Sequence, residues 1–94
     1  MKKRFFHLGI GGTTLSAEGI NQIQNVLDQV GIDWYRHGAY SWIIYADGGL
    51  DWWRDRLRLV PALSSGTATF FLSEITNYSG YLPKMGWEWL GKPR

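Results

Sequence analysis

Two histidines, His7 and His37, are the side chains of this 94-residue sequence whose ordinary titration falls closest to neutral pH. As a pair they could serve as acid and base for metal-free cleavage of RNA. His7 falls in a predicted strand and His37 in a predicted turn, and nothing in their spacing brings them together, so they are expected to be unrelated. Asp33, Asp47, Asp51 and Glu74 are the oxygen donors that a hard cation such as Mg²⁺ would need. Each stands beside a turn or a helix start, where a carboxylate serves as a cap, and that is the role expected of them. The chain has no cysteine. Disulfides and thiolate metal sites are therefore excluded, as fits a reducing compartment.

Three further groups could carry recognition. Gly9, Gly11, Gly12, Thr13 and Thr14 mark a glycine-rich loop between a strand and a helix, a phosphate-binding candidate whose backbone N–H groups could form an anion nest. The loop lacks the lysine of a phosphate-binding loop, and its spacing is not the dinucleotide fingerprint. A tight strand-to-helix turn is the plainer expectation. Tyr40-Ser41-Trp42-Ile43-Ile44-Tyr45 places Tyr40 and Trp42 on one face of a strand. It resembles the core of an RNA-recognition-motif signature, in which such a face stacks bases; a dry dimer interface or core packing would also explain it. Arg54, Arg56 and Arg58 lie on and beside a second helix with Trp52, suited to a phosphate or an acidic protein surface. Pairing with Asp51 and Asp55 on a solvated helix face accounts for them as well.

These groups need elements to hold them. From Arg4 to Ile10 the residues alternate, with Phe6, Leu8 and Ile10 on one face and Phe5, His7 and Gly9 on the other, which predicts a strand. Ser16 is an N-cap candidate for a helix whose stripe is Ile20, Ile23, Leu27 and Val30, with Gly31 in the place of a left-handed closing glycine. Strands are predicted over 32–36 and 40–45, with a turn at His37-Gly38-Ala39 between them. Asp47-Gly48-Gly49 breaks the chain before a second helix with the stripe Leu50, Trp53, Leu57 and Val60, closed by Pro61. A fourth strand is predicted over 67–75, a turn over 77–80, and a short helix or added edge segment over 83–90. The order predicts an α+β fold: a ferredoxin-like βαββαβ sandwich in one domain, residues 1–94, with four antiparallel strands, two helices on one face and a short C-terminal extension.

Six Trp, five Tyr and four Phe are many for a core this small. Large aromatics are also favoured at interfaces. The segment from Tyr78 to Leu90, with Tyr81, Met85, Trp87 and Trp89, is too aromatic for a free tail and should cover a sheet edge or cross to a second subunit. Net charge is +2 and the isoelectric point about 9.1. That is compatible with nucleic acid but lacks the dense basic patch of a dedicated binder. No apolar run approaches the roughly 18 residues of a membrane span. Lys2-Lys3-Arg4 with Phe5-Phe6 superficially suggests a leader, but His7 and Gly9 interrupt the apolar stretch, and the segment is read as the first strand.

Trp34-Tyr35, Ser41-Trp42-Ile43-Ile44, Arg54-Asp55-Arg56-Leu57, Ser73-Glu74-Ile75-Thr76 and Gly80-Tyr81-Leu82-Pro83-Lys84 with Trp87-Glu88-Trp89-Leu90 occur in that order. Together they resemble the SinR-like family, small ferredoxin-like proteins similar in fold to the CRISPR-associated Cas-two endoribonucleases. The resemblance implies a homodimer whose sheets pack face to face. Nuclease members of that group carry a metal-binding aspartate at the end of the first strand. Here the strand ends Leu8-Gly9-Ile10-Gly11-Gly12, with no carboxylate before Glu18. The expected function is thus a non-catalytic, homodimeric, cytoplasmic binding module without cofactor or membrane. It would contact a protein, or else a nucleic acid, through Trp34, Tyr40, Trp42, Trp52, Arg54, Arg58, Tyr81 and Trp87. Its size and character would suit a phage or mobile-element inhibitor of host defence. The alternatives are a metal-dependent endoribonuclease of the Cas-two type and a nucleotide-binding protein using the Gly9–Thr14 loop.

Overall fold

The computed structural model describes residues 3–64 and 66–94; Lys2 of the basic run lies outside the described residues. The elements follow in the order β1 (Arg4–Gly11), α1 (Ala17–Val30), β2 (Asp33–Gly38), β3 (Ser41–Ala46), α2 (Leu50–Leu57), α3 (Pro61–Ser64), β4 (Thr69–Ile75) and α4 (Lys84–Leu90). The fold is α+β. Its four strands form one antiparallel sheet in the order β2-β3-β1-β4. No helix among the described residues is long and apolar enough to cross a membrane.

The alternation of β1 decides which side of the sheet becomes the core. Phe6 pairs with Ile44 and Leu8 with Trp42, so four large apolar side chains share one face. On that face they meet Ile23 and Leu27 of α1 and Trp53 and Leu57 of α2, all fully buried. Burial of such side chains is worth about 1.5–3 kcal/mol each, and this layer is the main source of stability. The buried indoles keep their polar atoms satisfied. Trp42 Nε1 donates to Gln24 Oε1 at 3.3 Å and Trp53 Nε1 to the Asp47 carbonyl at 2.9 Å.

The helix ends show where local signals were and were not sufficient. Ser16 caps α1 as its type predicts, its hydroxyl accepting from the Gly19 N–H at 3.1 Å. Gly31 is not left-handed: its φ is −86°. A Cβ there would lie 2.6 Å from the Leu27 carbonyl oxygen, so close approach rather than backbone handedness calls for glycine. Pro61 does not close α2, which ends at Leu57 with Arg58 as its cap. It opens α3 instead, at a first-turn position where a missing N–H costs nothing.

The other face of the sheet carries Asp33 and Tyr35 of β2, Tyr45 and Ile43 of β3, and Phe5 and His7 of β1. Helix α4 lies across its lower half. Trp89 stacks on Tyr35 with centroids 5.9 Å apart, meets Phe5 edge-on at 5.8 Å, and donates from Nε1 to Asp33 Oδ2 at 2.9 Å. The tail is folded down too: the Arg94 guanidinium sits 4.6 Å over the Trp89 ring and reaches Asp33 Oδ2 at 3.2 Å. The aromatic C-terminal segment thus folds back onto its own sheet, on the face rather than along an edge.

Candidate functional site

The uncovered half of that face holds the two histidines. His7 stands in β1, where it pairs with Ile43 of β3 and Ser73 of β4. His37 belongs to β2, not to a turn; the turn is Ala39–Tyr40. The register between β2 and β3 slips between Arg36 and Gly38, so His37 is the extra residue of a bulge. Bulges bend a strand and re-aim a side chain. Arg36 turns to the helix side, its guanidinium 5.7 Å over the Trp42 ring and its Nη2 donating to the Ala39 carbonyl at 2.6 Å. His37 therefore turns to the open side. It reaches across β3, and its Nε2 lies 2.9 Å from His7 Nε2.

The expectation that these histidines are unrelated is corrected: they share a hydrogen bond. One nitrogen must donate and the other accept, so the pair holds together as two neutral rings or as a single cation. Partial burial, and secondarily the neighbouring His37, push the His7 pKa below its ordinary value. The pair borders a cavity of about 510 Å³. Ile43 and Ser73 belong to its floor, and its wall comes from the segment between β4 and α4, with Tyr78, Tyr81 and Leu82, and from Trp87. Tyr78 and Trp87 stack at 6.4 Å, and Tyr81 is fully exposed at the rim. Two ring nitrogens and a hydroxyl at the base of an aromatic-walled hollow is the composition of a ligand site.

The remaining sequence candidates are scattered. Trp42 is fully buried against α1 and cannot make an external contact, because its pairing with Leu8 commits it to the helix side. Tyr40 is half-buried, and its hydroxyl accepts from the Leu15 N–H at 3.0 Å, closing the start of α1 rather than offering a stacking face. Trp34 packs at the core margin with Nε1 on Asp28 Oδ1 at 2.8 Å. Trp52 is about half exposed, edge-on to Trp53. Arg54 pairs with Asp51 at 3.3 Å and Asp55 at 3.0 Å, which raises its pKa; Arg58 is the exposed cap of α2. Both lie away from the cavity; Tyr81 and Trp87 line it.

The glycine-rich loop is shorter than its sequence suggests. Gly9 and Gly11 are strand residues, and Gly12, Thr13 and Thr14 make the connection. Gly12 has φ 77°, and a Cβ there would sit 2.2 Å from the Thr67 carbonyl oxygen, which makes this a packed turn. The carboxylates serve structure: Asp33 holds Trp89 and Arg94, Glu74 pairs with Arg4 at 3.2 Å, and Asp51 pairs with Arg54. Among the described residues no three His, Cys, Asp or Glu side chains come together.

No family model, no curated protein and no solved structure matches the chain.

Proposed function

We propose that the chain is a ferredoxin-like module that acts by contact with another protein, through the rim of the open-face cavity. The strand order supports the first half. β3 lies between β1 and β2, and β1 lies between β3 and β4, so each βαβ passage is split by one inserted strand. The observation that carries the second half is the cluster Tyr78, Tyr81 and Trp87, exposed by 55, 101 and 39% around one hollow, with Met85 exposed by 72% on the same short helix as Trp87. Aromatics and methionine without dense charge are the composition of a protein–protein hot spot rather than of a nucleic-acid groove.

A catalytic use of the histidines is less well supported. General acid–base cleavage of a phosphodiester puts one imidazole on each side of the phosphorus, and rings in direct contact at 2.9 Å leave no space for it. The face-to-face homodimer that the resemblance implies meets a physical obstacle as well. α4 already occupies half of the face that would pair.

The test is a photo-crosslinking side chain placed at Tyr81 in cells that express the chain. One defined protein adduct, lost when Trp87→Ala is added, supports the reading. Adducts to RNA alone, or none above those of a probe at Arg58, refute it. Sedimentation of the purified chain separates a second copy from a different partner.

A further inference from the structure

Two imidazole nitrogens that meet beside an open cavity can hold a metal ion in place of the shared proton. A nitrogen bound to a metal ion stands about 2.0–2.1 Å from it. Here the nitrogens stand 2.9 Å apart and the ring centroids 5.1 Å, so the rings meet nearly end-on and each must tilt to aim its lone pair at a shared ion. The 90° bite of square-planar or octahedral coordination, the preference of Cu²⁺ and Ni²⁺, needs the larger tilt, and a tetrahedral bite the smaller. A tetrahedral pair would spread to roughly 3.3 Å, a displacement that the exposed ring on the bulge can supply.

We propose that His7 and His37 form a two-imidazole site for a late transition-metal ion, Cu²⁺ most tightly, with the remaining coordination positions open to the cavity. The donor chemistry agrees: neutral imidazole suits copper, nickel and zinc, and it does not suit the hard cations that a strand-end aspartate would hold. The placement agrees as well. His7 is fixed between two paired strands, while His37 stands on the bulged edge strand and can adjust. The other titratable groups lining the cavity are Glu74, Tyr78 and Tyr81, and Glu74 is paired with Arg4. No third His, Cys, Asp or Glu joins the pair among the described residues, so water or a donor from a partner completes the shell. The site does not depend on the protein-contact reading, since the isolated chain should bind the ion.

The experiment is a titration of the purified full chain with Cu²⁺, Ni²⁺ and Zn²⁺ near pH 7.5, followed by calorimetry and, for copper, electron paramagnetic resonance. Saturable uptake of one ion per chain is expected, with affinity in the order Cu²⁺ above Ni²⁺ and Zn²⁺. The copper spectrum should show two equatorial nitrogens. His37→Ala, on an exposed edge, should remove that uptake while leaving the circular dichroism of the fold unchanged. His7→Ala should do the same, and the double variant controls for the chain's amino terminus. Absence of saturable uptake, a signal with one nitrogen, or uptake that persists in His37→Ala would overturn the proposal.

Discussion

Trp89 is the residue on which the wall of the cavity depends, and its replacement gives a graded test. α4 has seven residues, well short of the roughly 12–15 that an isolated helix needs, so it persists only because it is docked. Its docking runs through the Trp89 ring against Tyr35 and Phe5, with the indole N–H on Asp33 and the Arg94 guanidinium above. Each aromatic pair contributes about 0.5–1.5 kcal/mol beyond area burial. The hydrogen bond to a carboxylate falls at the low end of about 1.5–3 kcal/mol, because Asp33 is partly exposed and keeps Arg94. Trp89→Ala should therefore cost about 3 kcal/mol. Trp89→Phe, which keeps the ring contacts and loses only the N–H, should cost about 1.5 kcal/mol. Urea unfolding measures both, and hydrogen exchange locates the loss. In Trp89→Ala the amides of α4 should exchange freely while those of β1 and β3 stay protected, since the main core lies on the opposite face. A cost under about 1 kcal/mol for Trp89→Ala, or α4 amides as protected as those of β1, would refute the claim that this contact holds the wall.

Three further outcomes are expected. Gly12→Ala should lower stability by more than about 2 kcal/mol, because a left-handed L-residue costs about 1–2 kcal/mol and its Cβ meets the Thr67 carbonyl. Gly66→Ala, also left-handed but with open space around it, should cost only the conformational part, and a thermal melt of the two variants checks the difference. Trp42→Ala should cost about 3–5 kcal/mol as a core truncation, and Trp42→Phe should leave any partner contact intact, read by chemical denaturation and by crosslinking at Tyr81. For His7 the folded-state pKa lies below the unfolded one, so the unfolded chain takes up the proton first. The His7 contribution is constant above about pH 6.5 and is lost as pH falls below it, until the folded-state value is passed. Unfolding midpoints across that range should show this slope, and His7→Asn should flatten it.

The parts legible in the sequence are those fixed by local period: the alternation of β1, the stripe and cap of α1, and the glycine break before α2. What was not legible depends on which neighbour a strand meets. In β3 both faces are apolar, Trp42 and Ile44 on one and Ile43 and Tyr45 on the other, so alternation alone cannot say which enters the core. Pairing with Leu8 and Phe6 decides it, and thereby removes Trp42 from any contact surface. The end of β2 misled for a related reason. Gly38 reads as a turn residue, but it closes a bulged strand that runs two residues past Arg36, and the turn is Ala39–Tyr40. With the turn at Ala39–Tyr40, His37 shares a face with His7 across β3; with the turn at His37-Gly38-Ala39 it would not be in the sheet at all. The close pair of imidazoles thus forms at the register shift between Arg36 and Gly38. Local rules tend to fail in this way where a strand has been bent to aim a side chain. An edge bulge that served only to blunt the sheet against aggregation would have no need to bring His37 to within 2.9 Å of His7.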